Sequence, residues 1–169
     1  MISNTISLRV IEASEALISR RPVIVRRQVK WGDCDPAQVV FTPRFSEYVV
    51  SATGFFFSEI LGKSFGIDRS DKSNGFPLRA LSFEFEESLY AFEYFDMCVE
   101  VTDIRTRTFV LKITGTRPDG RVVFRSTFTP ICVALDERRS ISIPPYVRDA
   151  LERYSLECSA NTGSPPRNP

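Results

Sequence analysis

Histidine is absent from all 169 residues of the sequence. It is the side chain whose charge changes near neutral pH, the usual base in Ser-His and Cys-His nucleophile pairs, and a frequent zinc ligand. Its absence excludes such pairs. Any proton chemistry of this protein must therefore be carried by carboxylates.

Cysteine is scarce and widely spaced, at positions 34, 98, 132 and 158. No two cysteines form a C-x-x-C pair, which argues against a zinc knuckle and against a redox dithiol. The first 21 residues contain no uninterrupted apolar core of the signal-peptide type. We therefore expect reduced thiols and a cytoplasmic protein.

Charge excess and long apolar runs are also missing. The 22 Lys and Arg residues nearly balance 21 Asp and Glu, so the net charge of +1 supplies no broad positive field for a nucleic acid. No stretch of about 18 apolar residues could span a membrane. We expect neither nucleic acid nor membrane as a partner, and a single domain from this length and a 43% hydrophobic content.

The order of elements predicts an α+β fold. A β-branched strand over residues 22–31 runs into the turn "GDCDPAQ". A long apolar helix follows, with Thr42 as N-cap, Pro43 as first helical residue and Gly62 at its end. After a turn-rich loop over 62–75, alternating apolar residues mark a series of antiparallel strands, with a hairpin turn at 117–121. A short helix over 143–154 closes the series, so that a curved sheet must cover the long helix.

The predicted boundaries are an N-terminal arm over residues 1–21, one domain over 22–156 and a disordered tail over 157–169.

The turn contains two acids, Asp33 and Asp35, close to the positive end of the long helix. A carboxylate there and an unpaired backbone N–H at the helix start would suit acyl transfer. The alternative is that Asp-x-Asp-Pro only closes a turn. A metal site lacks a histidine and a third spaced carboxylate, and Cys34 lacks an obvious base.

The string "WGDCDPAQVVFTPRF" resembles the active-site segment of the 4-hydroxybenzoyl-CoA thioesterase family, a branch of the hotdog-fold acyl-CoA thioesterases. "GFPL" at 75–78 and "RTRTF" at 105–109 are similar to further family stretches, and the similarity covers roughly residues 22–150. It implies the hotdog fold, a long central helix wrapped by a curved antiparallel β-sheet.

The resemblance also implies roles for residues. Asp35 would attack the thioester carbonyl or activate water, the backbone N–H of Thr42 would stabilise the oxyanion, and Asp33 would hold the turn. Gln38 replaces a common glycine and would contact substrate. Arg105 and Arg107 would meet the phosphates of coenzyme A, to which guanidinium forks bind well.

The implied reaction is hydrolysis of an aryl- or short- to medium-chain acyl-CoA thioester, without metal or cofactor, by a homodimer or dimer of dimers with sites at the subunit interface. Acyl carrier protein could replace coenzyme A. Another hotdog branch has its carboxylate on the helix, where Glu47 and Glu59 are the candidates.

Two other functions remain open. The first is a non-catalytic hotdog module that binds acyl-CoA or only dimerises, which has no need of Asp35. The second is a hotdog hydratase or dehydratase, which normally pairs an acid with a histidine that this sequence lacks.

Overall fold

A computed structural model describes residues 14–62 and 74–161. The main sheet contains β1 (Glu15–Arg20), β2 (Val23–Gln28), β4 (Leu78–Phe85), β5 (Tyr94–Ile104), β6 (Phe109–Thr116) and β7 (Val122–Pro130). The helices are α1 (Arg44–Leu61) and α2 (Pro145–Asn161). The short strands β3 (Asn74–Gly75), β8 (Val133–Ala134) and β9 (Arg139–Ser140) form a second sheet.

The main sheet is antiparallel throughout, in the order β1-β2-β5-β6-β7-β4. Inward residues alternate with outward ones along β6, as the period of two predicts. Helix α1 lies against this sheet through an apolar face that includes Phe45, Val49, Phe56 and Phe57. The predicted α+β architecture, a long helix covered by an antiparallel sheet, is confirmed.

The end of α1 follows the sequence signal, whereas its start is shifted. Gly62 has φ of 65° and caps the last turn through its N–H bond to the Ser58 carbonyl. The prediction that Thr42 is the N-cap was wrong, because Pro43 takes that position and the helix begins at Arg44. A tight turn in which the Arg44 N–H donates to the Phe41 carbonyl at 2.8 Å displaces the start by one residue.

The predicted boundaries need correction at both ends. Residues 15–20 belong to the sheet as β1, an edge strand paired with β2, and not to an arm. Leu17 is the β1 residue that packs against the core, and the other two inward positions hold the polar Glu15 and Ser19, so the apolar sequence pattern is weak. The rest of the arm, residues 1–13, lies outside the described residues.

At the other end, α2 continues to Asn161, past the predicted limit at 156. Its last turns are held by an ion pair between Arg21 and Glu157 and by Cys158, which packs against the core. Such contacts come from distant parts of the chain, so local composition does not predict them. Residues 162–169 of the predicted tail, and residues 63–73 of the predicted loop, lie outside the described part of the chain.

Neither described helix is long and apolar enough to cross a membrane. The four cysteines, all within the described residues, form no disulfide with one another, in agreement with the prediction of reduced thiols.

Gly115 on β6 packs directly against an aromatic ring of the core. A Cβ atom there would lie 2.3 Å from Cε1 of the buried Phe124 ring, which is fixed by contacts with Phe45, Phe83 and Phe95. We therefore expect Gly115→Ala to lower the free energy of unfolding by about 1–3 kcal/mol, because the ring has no room to move.

The matched control is Gly54→Ala on α1, where a Cβ meets nothing within 4 Å. It should raise the free energy of unfolding by about 0.5–1 kcal/mol, the helix preference of alanine over glycine. Urea unfolding followed by circular dichroism measures both. Equal stabilities for the two variants would contradict this account of the Gly115 contact.

Candidate active site

The turn with the two acids forms a compact loop directly before α1. Residues 31–33 make one turn of 3-10 helix, after which Cys34 and Val40 face each other as an antiparallel bridge. The Asp35 N–H donates to the Val39 carbonyl at 3.0 Å, and the Phe41 N–H donates to the Asp33 carbonyl at 2.9 Å. These bonds hold both aspartates at fixed places relative to the helix entrance.

Asp33 is buried and its carboxylate is occupied. Oδ2 accepts hydrogen bonds from the Tyr48 hydroxyl at 2.7 Å and from the Lys30 N–H at 3.1 Å. The Nε atom of Arg44 lies 3.9 Å from Oδ1. A carboxylate so engaged braces the loop, and its burial keeps it away from a ligand in solvent.

Asp35 is half-exposed and lines a pocket of about 520 Å³. Its Oδ1 accepts the Ala37 N–H at 2.8 Å, and its carbonyl accepts the Gln38 N–H at 2.8 Å. No described residue donates a hydrogen bond to Oδ2 of Asp35. The other pocket residues are Trp31, Cys34, Pro36, Gln38, Tyr90 and Ala91.

Gln38 has a left-handed backbone, with φ of 67°. This conformation costs an L-residue energy that glycine avoids, which explains physically why glycine suits this turn position. In this chain the position has a side chain, which lines the pocket beside Asp35.

Cys34 lines the same pocket but is a poor nucleophile. Burial, followed by the negative charges of Asp33 and Asp35, raises the pKa of the Cys34 thiol above its ordinary value. A thiol with a raised pKa stays protonated at neutral pH, and the thiolate is the reactive form.

Thr42 lines a different opening, of about 380 Å³, together with Val39, Val40 and Phe45. Its N–H precedes the first turn of α1 and has no acceptor among the described residues. It therefore lies at the positive end of the helix dipole as a free donor. The segment 38–40 borders both openings, so Asp35 and Thr42 are close along the chain but face different spaces.

The structure does not bring Arg105 and Arg107 to Asp35. The segment just before β5 adjoins the turn, since Tyr90 pairs with Val39 as an antiparallel bridge. Both arginines follow the far end of this strand of 11 residues, which is roughly 30 Å away at about 3.3 Å per residue. There Arg105 pairs with Asp103 at 2.6 Å, and Arg107 donates to Ser140 at 3.1 Å.

The helix carboxylates considered as alternatives are both paired. Glu47 bonds Arg44 at 2.8 Å on the exposed face of α1, and Glu59 pairs with Arg20 from the edge strand β1. Neither lines the pocket that contains Asp35.

Two pocket residues, Trp31 and Tyr90, were not predicted as site residues. Trp31 is 76% exposed despite its size, and Tyr90 is 50% exposed. The sequence does contain a signal for Trp31, which directly precedes the Gly-Asp-Cys-Asp motif. It contains none for Tyr90, because Tyr90 is brought to the pocket by pairing with the distant Val39 in an antiparallel bridge.

Within residues 14–62 and 74–161, no group of three or more His, Cys, Asp or Glu could hold a metal ion.

Comparison with protein families matches residues 29–151 to the model of the thioesterase-like superfamily. No curated protein sequence matches the chain.

Solved structures share the fold. A 1,4-dihydroxy-2-naphthoyl-CoA thioesterase from Synechocystis has a TM-score of 0.69 and 21% identity, over 76% of this chain and 93% of that chain. Gentisyl-coenzyme A thioesterase BH1999 has a TM-score of 0.68 and 23% identity, over 76% and 98% of the two chains. An Asp-to-Asn variant of 4-hydroxybenzoyl-CoA thioesterase, complexed with 4-hydroxybenzoyl-CoA, has a TM-score of 0.69 and 20% identity, over 76% and 97%. The expected hotdog fold is confirmed.

The left-handed backbone at Gln38 leads to a stability prediction. Gln38→Gly should be more stable than Gln38→Ala by about 1 kcal/mol, because both delete the side-chain amide but only glycine adopts positive φ without steric cost. Thermal unfolding of the two variants measures the difference. If Gln38→Ala were the more stable, the turn would not have this conformation in solution.

Proposed function

As a member of the thioesterase-like superfamily this chain is a thioester hydrolase, and we propose that it cleaves an aryl- or short- to medium-chain acyl-CoA thioester with Asp35 as the reacting carboxylate. The observation that carries the proposal is the different state of the two motif acids. Asp33 is buried and holds the turn, whereas Asp35 faces an open pocket with one oxygen uncommitted among the described residues.

Two chemical routes fit a carboxylate in this position. In the first, an Asp35 oxygen attacks the thioester carbonyl, the C–S bond breaks to release the coenzyme A thiolate, and water hydrolyses the mixed anhydride. In the second, Asp35 takes a proton from water as the water attacks the same carbon, and the thiolate leaves with the proton. Both routes give a free acid and coenzyme A.

The oxyanion formed in either route needs a donor. We assign the free N–H of Thr42, at the start of α1, to this role, since the helix dipole favours negative charge there. Thr42 and Asp35 line neighbouring openings on either side of the segment 38–40, so both can act on one carbonyl only if it is bound where these openings meet.

The acyl group that fits best is small and planar or short. The pocket of about 520 Å³ is bordered by the exposed aromatic rings of Trp31 and Tyr90, against which an aryl group can pack. The side chain of Gln38 occupies part of the same entrance and can donate a hydrogen bond to a polar substituent. The aryl-CoA substrates named for the similar structures support the same substrate class.

Contact between the arginines and coenzyme A requires a second copy of the chain. Arg105 and Arg107 are too far from Asp35 within one chain, so we propose that they serve the site of a partner in a dimer or a dimer of dimers. Strand β4 offers a surface for such assembly. It is the sheet edge beyond β7 and is exposed along most of its length, including Leu78 and Phe85.

Replacement of Asp35 tests the catalytic assignment. Asp35→Asn should lower kcat roughly 100- to 10,000-fold with little change in KM, because the amide can neither attack nor accept a proton. Release of free thiol from the best acyl-CoA substrate is the measurement. Asp149→Asn, at an exposed position of α2, is the matched control and should keep wild-type kinetics. An Asp35→Asn enzyme of wild-type activity would remove Asp35 from the mechanism.

Replacement of the arginines tests the coenzyme A assignment. The double change Arg105→Ala and Arg107→Ala should raise KM for acyl-CoA several-fold more than KM for the same acyl group on pantetheine, which lacks the nucleotide phosphates. Arg153→Ala, on the exposed face of α2, is the control for lost positive charge. An equal rise for both thioesters would show that these guanidinium groups do not bind phosphate.

A further inference from the structure

The hydroxyl of Tyr48 connects the helix to the turn through a buried hydrogen bond. Tyr48 lies on α1, four residues after the helix begins, and is fully buried. Its hydroxyl donates to Oδ2 of Asp33 at 2.7 Å. Sequence periodicity accounts for the ring as part of the apolar helix face, but not for the hydroxyl.

The Tyr48 hydroxyl is held in its protonated form. Burial, followed by the hydrogen bond to Asp33 and its negative charge, raises the pKa of Tyr48. The hydroxyl therefore keeps its proton and remains a donor. A neutral donor to an ionised acceptor makes one of the stronger kinds of hydrogen bond.

Asp33 connects Tyr48 to the turn through further hydrogen bonds. Its Oδ2 also accepts the Lys30 N–H at 3.1 Å, and its backbone carbonyl accepts the Phe41 N–H at 2.9 Å. The residue is thus bonded before the turn, after the turn and to the helix. Asp35 is two residues further on, and its N–H is bonded to the Val39 carbonyl of the same loop.

The ring of Tyr48 is itself held from the sheet. The guanidinium carbon of Arg27 on β2 lies 4.2 Å from the ring centroid, a cation–π contact. Arg27 pairs with Glu15 on β1, and Glu15 accepts the Ser51 hydroxyl of α1 at 2.6 Å. These contacts fix the direction in which the hydroxyl points.

We propose that Tyr48 is a positioning residue, whose bond to Asp33 fixes the Asp35 carboxylate relative to the N-terminus of α1. The inference rests on the proposed role of Asp35. Loss of the hydroxyl leaves the pocket side chains unchanged but frees the turn to shift against the helix. Small misplacements of a reacting group reduce the rate of the chemical step more than the affinity for substrate.

The test compares Tyr48→Phe with Tyr154→Phe. Tyr154 is the matched control because it is also buried, donates to the Val99 carbonyl at 2.6 Å and accepts the Val23 N–H at 2.8 Å, away from the turn. Tyr48→Phe should lower kcat about tenfold or more with KM unchanged, and Tyr154→Phe should change neither. An equal loss of kcat in both variants would overturn the inference, since it would reflect general destabilisation.

Amide hydrogen exchange provides a readout that does not depend on activity. Amides of residues 33–41 should exchange about tenfold faster in Tyr48→Phe than in wild type or in Tyr154→Phe. Unchanged exchange there overturns the inference even if the wild type hydrolyses thioesters. If the wild type hydrolyses none, the proposed function fails, and exchange still decides whether Tyr48 holds the turn.

Asp33→Asn is the second variant, and it tests the same bond even if Tyr48→Phe does not fold. The amide oxygen can still accept the Tyr48 hydroxyl but without charge, so kcat should fall several-fold at constant KM. The double variant should lose little more than the larger single loss, because both changes act on one bond. Full kcat in Asp33→Asn, or losses that multiply, would contradict the coupling.

Discussion

The buried carboxylate of Asp33 is the constraint on which the rest of the site depends. A buried carboxylate needs hydrogen bonds to offset its lost hydration, and here the Tyr48 hydroxyl and the Lys30 N–H supply them. Those donors come from α1 and from the segment after β2. The hydrogen bonds that stabilise the Asp33 carboxylate therefore also connect the helix to the sheet. The turn can then hold Asp35 at a pocket surface while its own backbone is bonded across the loop.

This arrangement explains why the chain has two acids in one short turn. Asp33 stabilises the loop because it is buried and its Oδ2 atom is bonded to Tyr48 and Lys30, and Asp35 is suited to chemistry because it is half-exposed at a pocket. The other site features depend on where each residue lies. Thr42, at the start of α1, has a backbone N–H without an acceptor among the described residues. Trp31 and Tyr90 border the pocket with exposed aromatic rings. In a chain without histidine, the role proposed for Asp35 would supply the base or nucleophile that thioester hydrolysis needs.

Local patterns predicted the elements whose signals are local. The length of α1 followed from apolar spacing and Gly62, and the hairpin at 117–121 from Asp-Gly, where Gly120 has φ of 88°. Features made by distant contacts were missed, such as β1, whose Glu15 pairs with Arg27, and the last turns of α2. The motif identified Asp35 and Gln38, which share a pocket. Spacing alone could not predict that Arg105 and Arg107 lie at the opposite end of β5 from them.

The central claim is that this chain hydrolyses acyl-CoA thioesters of small aryl or short to medium acyl groups. The most direct measurement follows free thiol release by the purified wild-type protein against a panel of aryl-, short-chain and long-chain acyl-CoA thioesters. The account predicts steady turnover that is fastest with the aryl or shorter acyl groups. Tight acyl-CoA binding without hydrolysis of any member of the panel would contradict it and would identify a binding module instead.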